Sequence, residues 1–376
     1  MMIHDNCVKS TGVKADQATI ISCRGGESVS RSYARQLFIP LLAVLTLVSD
    51  YSCGAEVSGA VGTFTYPLYE KWSRQYRAET GRKIHYEPVS SGEGLELLKA
   101  NKVTFSISEI PLSPSELEQA GLIQWPQIIS GVVCIANIGG RQSKHLVLDG
   151  DTLSKIYLGE IINWNDVRIS ALNRGQKLPD APITPIYRSG VSGTNYIFDH
   201  FLSSASEEWR THKPRPNEIY WPIGFAEKGN EGVAKKVSKT IGAIGFVSFN
   251  YAISKKLAYV SLVNKDGNVV APNKESFLSA SQQIDWKNSA GLNSPITNMP
   301  GLLSWPISSA SYVLIHKKPS DENASVEAIQ FFEWALNKGS KSAEKLGYIP
   351  APDVLLTTIR ENWQEIKGSN DRTLYH

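Results

Sequence analysis

The sequence predicts an α/β protein in which helices and strands alternate along most of the chain. Two patterns support this prediction: apolar stripes at helical spacing, and short apolar or alternating runs typical of strands. Glycines also stand where several of the predicted helices should end. Alternation of this kind is typical of mainly parallel sheets with helices packed on their faces.

Composition limits the range of functions. At 376 residues the chain is long enough for two domains, and its 41% hydrophobic and 20% charged residues are typical of a soluble globular protein. The net charge of +3 comes from 39 basic and 36 acidic residues, without a dense run of either sign. We therefore expect no nucleic-acid partner.

The N-terminal region resembles an export signal. Arg31 and Arg35 precede an apolar stretch at 37–48, which is shorter than the roughly 20 residues that span a membrane. We expect residues 1–55 to be a signal peptide or leader, cleaved after Ala55, and the mature protein to be periplasmic. The 30 residues before Arg31 are long for such a leader, so a start codon further downstream is an open alternative.

A lipoprotein anchor at Cys53 is the alternative for this region. Asp50 and Tyr51 stand where a lipobox needs an aliphatic and a small residue, which disfavours that interpretation. Removing the leader also removes Cys7 and Cys23. The remaining thiol cannot form an internal disulfide, and its apolar surroundings predict a small buried side chain (Cys134, within Val132–Ala136).

The predicted elements follow in order after the leader. A stripe of large apolar residues followed by a glycine predicts the first helix (Leu68, Tyr69, Trp72, Tyr76, Gly81). Strands are then expected at 83–89, 103–108 and 128–138, a helix at 151–158, a strand at 184–187 and a helix at 196–202. Near the C-terminus we expect a strand at 312–316 and a helix through Val326, Ile329, Phe332 and Leu336. The polar segment 264–304 should hold a domain crossing or an excursion.

Three short segments have the composition of an anion site. Each places hydroxyls and glycines at a strand-to-helix turn: Gly59–Phe64, Ser90–Gly94 and Arg188–Thr194. Unpaired N–H groups and the positive end of the helix dipole favour an anion at such turns. Arg188 could add one formal positive charge, with a planar fork suited to a tetrahedral oxyanion.

Each segment also has a purely structural explanation. Ser90 and Glu93 have the spacing of a capping box, and Ser192 and Thr194 are ordinary N-cap residues. The three segments together favour anion binding, while any one alone does not.

Motifs for catalysis are missing from the sequence. Thr194 stands where a nucleophile elbow needs its second glycine, and no glycine-rich run ends in Gly-Lys-Ser or Gly-Lys-Thr. The histidines of the mature chain are scattered, without metal-ligand spacing. We expect no enzyme activity, no cofactor and no metal.

The sequence from about Gly59 to the C-terminus resembles the phosphate-binding proteins of bacterial phosphate ABC importers. Besides the three segments above, the resemblance rests on ordered motifs, which are Leu148-Asp149-Gly150, Ile156-Tyr157-Leu158-Gly159, Trp221-Pro222-Ile223-Gly224, Lys228-Gly229-Asn230, Gly242-Ala243-Ile244-Gly245 and Trp305-Pro306-Ile307.

The resemblance implies a two-lobed periplasmic-binding-protein fold of type II, with the ligand in a cleft between lobes joined by two crossings. Lobe 1 would comprise 56–130 and 304–376, and lobe 2 would comprise 131–303. The implied function is capture of inorganic phosphate and its delivery to the membrane permease, by a protein that we expect to be a monomer. The implied phosphate contacts are Thr63, Phe64 through its N–H, Ser91, Glu109, Arg188, Ser192, Gly193 and Thr194.

Three positions depart from the family pattern. Glu109 stands where the family has Asp, Gly190 stands where it usually has an Asp paired with the arginine, and Glu93 replaces a glycine. A carboxylate can accept the proton of hydrogen phosphate but meets only lone pairs on sulfate, and such mismatches can cost about 10⁴-fold in affinity. We expect the changes to retune charge in the cleft while phosphate stays the ligand. Three alternatives stay open: a receptor for another tetrahedral oxyanion or a phosphonate-like ester, a secreted phosphate-sensing or adhesive protein on the same fold, and a secreted phosphatase or other hydrolase. The last would need a nucleophile with a base or a metal, and we find neither in the sequence.

Overall fold

The structure, a computed structural model, describes residues 56–139, 145–214 and 219–375. The predicted signal peptide and the alternative anchor at Cys53 lie outside these residues, so both stay predictions. Among the described helices, none combines the length and the apolar character that a membrane span requires.

The strands of the described chain form two sheets. In chain order they are β1 Val57–Gly62, β2 Ile84–Val89, β3 Phe105–Ser108, β4 Leu122–Ala136, β5 Val147–Leu148, β6 Thr184–Arg188, β7 Phe225–Glu227, β8 Ala243–Ser248, β9 Ser261–Val263, β10 Val269–Val270, β11 Ser308–His316 and β12 Ile349–Pro350.

The helices lie between these strands, mostly one per connection. In chain order they are α1 Tyr66–Thr80, α2 Ser91–Lys99, α3 Pro114–Ala120, α4 Gly150–Leu158, α5 Val167–Leu172, α6 Gly193–Ala205, α7 Glu207–Thr211, α8 Gly229–Lys239, α9 Phe249–Ser254, α10 Lys274–Ser281, α11 Glu322–Lys338, α12 Ser340–Lys345 and α13 Asp353–Trp363. The predicted α/β alternation is present throughout.

The larger sheet has the order β2-β1-β3-β11-β4-β8-β6-β7, and β12 pairs with β4. β1 is parallel to β2 and β3, and β6 is parallel to β7 and β8. However, β11 is antiparallel to β3 and β4, and β4 is antiparallel to β8. The expectation of mainly parallel strands is therefore wrong for the middle of the sheet. Two strands that are joined by a single helical crossover lie parallel. β11 is far in sequence from its neighbours β3 and β4, so no such crossover sets its direction.

Strand β4 connects the two ends of the larger sheet. Its residues 122–131 pair with β11, and its residues 132–136 pair with β8. We call β1, β2, β3, β11 and residues 122–131 the first half, and β6, β7, β8 and residues 132–136 the second half. All 15 residues of β4 are buried, as in a strand covered on both faces. The residue boundaries of the two lobes stay a prediction.

Several sequence predictions agree closely with the elements. α1 carries its large apolar side chains on its buried face, and the helix ends at Gly81 with a φ of 75°. α6 begins at Gly193, three residues before the prediction, which places Gly193 and Thr194 in its first turn. β3 is shorter than predicted, and all four of its residues are buried: α2 packs against it, and Phe105 packs against Phe332 of α11. The 264–304 segment holds β10, α10 and two short 3₁₀ turns.

Two local predictions need correction. Gly59 lies inside β1, not in a turn, and a Cβ atom there would come within 2.3 Å of the Phe105 ring. Glycine at this position therefore lets the aromatic side chain of β3 pack against β1. The hydroxyl of Ser90 accepts the N–H of Glu93 at 3.3 Å, but the return bond of a capping box is not formed in this described segment. A complete capping box instead joins Ser113 and Glu116 at the start of α3.

Aromatic side chains fill the core of each half. In the first half, Phe332 packs edge-on against Phe105 and Trp125. In the second half, Phe198 and Phe246 stack with ring centroids 4.0 Å apart. Such well-packed scaffolds hold the ends of the strands, and the loops that follow them, in fixed positions. Cys134, on the part of β4 that pairs with β8, is fully buried, as predicted.

Candidate anion-binding site

The predicted site residues stand where strands end. Thr63 and Phe64 follow β1, Ser91 opens the helix after β2, and Glu109 follows β3. Parallel strands place their carboxyl ends at one edge of the sheet, so these residues approach one another in the first half. Arg188 ends β6 in the second half.

Glu109 is the acidic centre of this cluster. Its side chain is almost fully buried, with 1% of the residue exposed. Oε2 accepts a hydrogen bond from Ser91 Oγ at 2.9 Å, and Oε1 accepts one from Ser311 Oγ at 2.9 Å. Burial raises the pKa of the Glu109 carboxyl, while the two hydroxyls and the charge of Arg188 oppose that rise.

Arg188 brings a cation from the second half. Its Nη1 donates to Thr194 Oγ1 at 2.9 Å and its Nη2 to Thr63 Oγ1 at 3.3 Å. Its Nε is buried and has no partner in the described residues. Burial lowers the pKa of the guanidinium, and the nearby carboxylate of Glu109 raises it.

No carboxylate of the described residues forms a salt bridge with Arg188. Gly190, which replaces the family's usual aspartate, has a left-handed φ of 74° and no side chain to offer. The position of the family's usual aspartate therefore supplies no carboxylate to neutralise Arg188, whose side chain is held instead by the hydroxyls of Thr63 and Thr194. The Nε–H group of Arg188 is therefore available to donate a hydrogen bond to a ligand.

The start of α6 presents free donors to the same place. Ser192 is the N-cap residue of this helix, yet its hydroxyl caps nothing, is fully buried and has no partner in the described chain. The N–H groups of Gly193 and Thr194 lie in the first turn, where no helical acceptor exists for them. A buried hydroxyl without a partner is costly, and a bound acceptor would remove that cost.

Gly193 lies directly against the acidic centre. A Cβ atom at Gly193 would lie 2.3 Å from Glu109 Oε2 and 2.7 Å from Ser91 Oγ. Only glycine lets the backbone of α6 approach these groups so closely. In the first half, the Phe64 N–H also donates to no described group, while the Phe64 carbonyl is fixed by the Tyr348 hydroxyl at 2.8 Å.

The two halves touch each other around the cluster. The Gly92 N–H donates to the Val191 carbonyl at 3.3 Å, and Arg188 reaches Thr63. A Cβ atom at Gly92 would lie 2.7 Å from Val191 Cβ, so glycine is required for this approach. Segments 90–94 and 188–194 therefore contact each other directly beside the cluster.

One residue of the cluster was missed in the sequence. Ser311 donates to Glu109, but it lies at the start of β11, in a stretch that was not assigned to the predicted strand. The run Ser308-Ser309-Ala310-Ser311 of small, mainly hydroxyl residues was a weak signal for it. Ser91 stays a predicted contact of the ligand, but its one hydroxyl proton is already used by Glu109.

The described residues contain no group of His, Cys, Asp and Glu arranged to hold a metal ion. The cluster itself holds one arginine, one carboxylate, several hydroxyls and free N–H groups. Such a set binds an anion by hydrogen bonds and leaves a place for one ligand proton.

Comparisons with known proteins agree with this chemistry. The PBP superfamily domain model matches residues 46–338. A protein named phosphate-binding protein PstS from Pasteurella multocida is 37% identical over 337 residues, which is 89% of this chain and 98% of that protein. A protein of the same name from Xylella fastidiosa is 40% identical, covering 84% of this chain and 86% of that protein.

A solved structure matches the fold as well. A high-affinity periplasmic phosphate-binding protein (PfluDING), bound with phosphate, superposes with a TM-score of 0.64 and covers 81% of this chain and 93% of its own. Its identity to this chain is 18%, so the likeness concerns the fold alone. Together, the family model and this structure confirm the two-lobed periplasmic-binding-protein fold.

Proposed function

The chain belongs to the PstS-type phosphate-binding proteins of the PBP superfamily, and from that premise we propose that it captures inorganic phosphate and delivers it to an ABC-type permease. It is a binding protein and not an enzyme. The proposed contacts are those of the sequence prediction: Thr63, the Phe64 N–H, Ser91, Glu109, Arg188, Ser192, Gly193 and Thr194.

The observation that supports this proposal best is that Arg188 and Glu109 are both buried in one cluster without a salt bridge between them. A buried guanidinium with a free Nε attracts a dianion, and the buried Glu109 carboxylate keeps lone pairs that can accept a ligand proton. Hydrogen phosphate satisfies both groups, because it carries negative charge and one proton. Sulfate would leave Glu109 facing lone pairs.

Closure of the two lobes would complete the site. We propose that lobe 1 comprises 56–130 and 304–376 and that lobe 2 comprises 131–303, so that Thr63 and Arg188 belong to different lobes. Ligand binding would favour the closed arrangement, and the permease would recognise it. We also propose that the protein acts as a monomer in the periplasm, after removal of a signal peptide.

The alternative functions differ in the anion that is bound or in what happens after binding. A receptor for another tetrahedral oxyanion without a proton is disfavoured by Glu109. A phosphate-sensing or adhesive protein would bind phosphate but would not support transport. A phosphatase is disfavoured because the curated relatives are named phosphate-binding proteins, and because the described residues contain no group arranged to hold a metal ion.

Calorimetric titration of the stripped protein tests the proposal. Phosphate, sulfate and arsenate would be titrated separately between pH 5 and 8. We expect tight binding of phosphate, weaker binding of arsenate and little binding of sulfate at pH 8. Absence of phosphate binding would refute the proposal. Release of phosphate from an ester would show that the protein is an enzyme, against our expectation.

A further inference from the structure

We infer that Ser311 is a positioning residue for anion discrimination: its hydroxyl holds the Glu109 carboxylate in the orientation that accepts a ligand proton. The bond from Ser311 Oγ to Glu109 Oε1 is 2.9 Å long and joins buried groups 202 residues apart. This inference rests on the proposed function, which supplies the ligand, but the hydrogen bond itself can be tested without any ligand.

Strand pairing places Ser311 beside Glu109. In the β3–β11 ladder Tyr312 pairs with Ser108, so the next residue on each strand, Ser311 and Glu109, comes to the same end of the ladder. The pairing of β11 with β4 shifts register between Ser311 and Tyr312, which leaves Gln127 as an extra residue on β4. Bulges next to functional sites commonly re-aim a side chain.

The two hydroxyls hold the carboxylate at both oxygens. Ser91 occupies Oε2 and Ser311 occupies Oε1, and the last torsion of a glutamate is otherwise broad. Glutamate has one more torsion to fix than the aspartate of the family pattern. A second hydroxyl, bonded to the other carboxylate oxygen, therefore fixes the orientation of the longer side chain more firmly than Ser91 alone would.

This arrangement determines the direction of hydrogen bonding in the site. When Glu109 is ionised, it accepts from both serines, and each serine hydroxyl has a single proton. Ser91 Oγ and Glu109 Oε2 then have only lone pairs left for a ligand. A protonated anion fits these acceptors, whereas an unprotonated one meets repulsion. Without Ser311, the carboxylate can rotate, and the lone pairs of Oε2 are no longer fixed toward the ligand.

The test compares Ser311→Ala with Ser311→Thr, which keeps the hydroxyl, and with Ser309→Ala. Ser309 lies on the same strand, but its hydroxyl donates to the Ala310 carbonyl, which makes it a matched control. Phosphate and sulfate affinities would be measured by calorimetry at pH 8. The titration of the Glu109 carboxyl would be followed by carbon NMR in ligand-free protein, where Arg188, Tyr69 and Tyr348 are the other charged or titratable groups that act on it.

We expect Ser311→Ala to weaken phosphate binding about tenfold, as loss of one hydrogen bond to a charged group can do, with a smaller effect on sulfate. The pKa of Glu109 should rise, because a donor to its charged form is lost. Ser311→Thr and Ser309→Ala should stay near the wild type in both measurements.

The inference is overturned if Ser311→Ala leaves the pKa of Glu109 and phosphate affinity unchanged, or if Ser311→Thr is impaired to the same degree. A wild-type protein that bound no phosphate would refute the proposed function instead, and the ligand-free titration would still decide the role of Ser311.

Discussion

Arg188 Nη2 lies 3.3 Å from Thr63 Oγ1, although the two residues are 125 positions apart. Arg188 ends β6 in the second half of the sheet, and Thr63 follows β1 in the first half. Their hydrogen bond can form only when the two segments are close together. The cation that would bind the anion therefore also takes part in holding the cleft closed.

The first prediction concerns the fork of Arg188. Arg188→Lys keeps the charge but cannot reach Thr63 and Thr194 together with a ligand. We expect phosphate affinity to fall about 10- to 100-fold, since hydrogen bonds to charged groups contribute about 1.5–3 kcal/mol. Calorimetry would measure this change. Arg168→Lys is the control, because Arg168 lies in the first turn of α5 and pairs with Asp166, the N-cap residue of that helix. Equal affinities of Arg188→Lys and the wild type would remove Arg188 from the proposed site.

The second prediction concerns ligand choice by Glu109. Glu109→Gln replaces an acceptor by an amide that can also donate. We expect phosphate to bind more weakly and sulfate more tightly, so that the preference between them falls by at least about tenfold. Titration of both anions at pH 8 would measure the ratio. An unchanged ratio would show that the role assigned to Glu109 is wrong.

The third prediction concerns pH and stability. Burial raises the pKa of Glu109 in the folded protein, so the folded state holds its proton at pH values where the unfolded state has lost it. Stability contributed by this group is therefore lost as pH rises through that interval. Glu109→Gln does not titrate, so its melting temperature relative to the wild type should be higher at pH 8 than at pH 4 in ligand-free protein. The exposed Glu96→Gln is the control, and a difference independent of pH would contradict the expectation.

The strand-to-helix turns that carry several of the proposed site residues were predictable because such turns follow local rules. Thr63, Ser91 and Ser192 each stand at a strand-to-helix turn, and a turn can be recognised from a few neighbouring residues. The antiparallel β4 and β11 were not predictable in this way. Their direction depends on pairing between distant segments, which leaves no local pattern.

Ser311 was missed for the same reason. Its partner Glu109 is 202 residues away, and the pairing of β3 with β11 decides that they meet. The sequence also could not reveal that Ser192 caps no N–H, although its position is that of an N-cap. The fold class and the turns that carry most of the proposed contacts thus follow from local patterns, whereas the hydrogen bonds among the proposed residues follow from tertiary structure.

The fourth prediction concerns the close approach at Gly193. In Gly193→Ala the new Cβ would lie 2.3 Å from Glu109 Oε2, so the carboxylate must move. We expect phosphate affinity to fall at least about tenfold, a cost comparable with that of one misplaced charged hydrogen bond. Gly232→Ala in α8 is the control, since its nearest neighbour would be 3.4 Å away and alanine favours a helix by about 0.5–1 kcal/mol. Normal phosphate binding by Gly193→Ala would show that Glu109 can move without consequence.

The fifth prediction concerns the stability of the second half. Lys213 Nζ lies 2.6 Å from Asp199 Oδ2, and only 6% and 10% of the two side chains are exposed. Trp209 Nε1 donates to the other oxygen of Asp199 at 3.1 Å. Asp199→Ala would leave the buried ammonium and the indole N–H without their acceptor. We expect the free energy of unfolding, measured with urea at neutral pH, to fall by about 3–5 kcal/mol.

Glu70→Ala provides the matched comparison for this ion pair. Glu70 pairs with Arg74 on the surface of α1, where 47% and 70% of the two side chains are exposed, so its removal should cost at most about 1 kcal/mol. Similar losses in both variants would mean that Lys213 reaches water as easily as Arg74 does. The large difference that we expect follows from burial, because water solvates an exposed cation that has lost its partner but cannot reach one enclosed by α6 and α7.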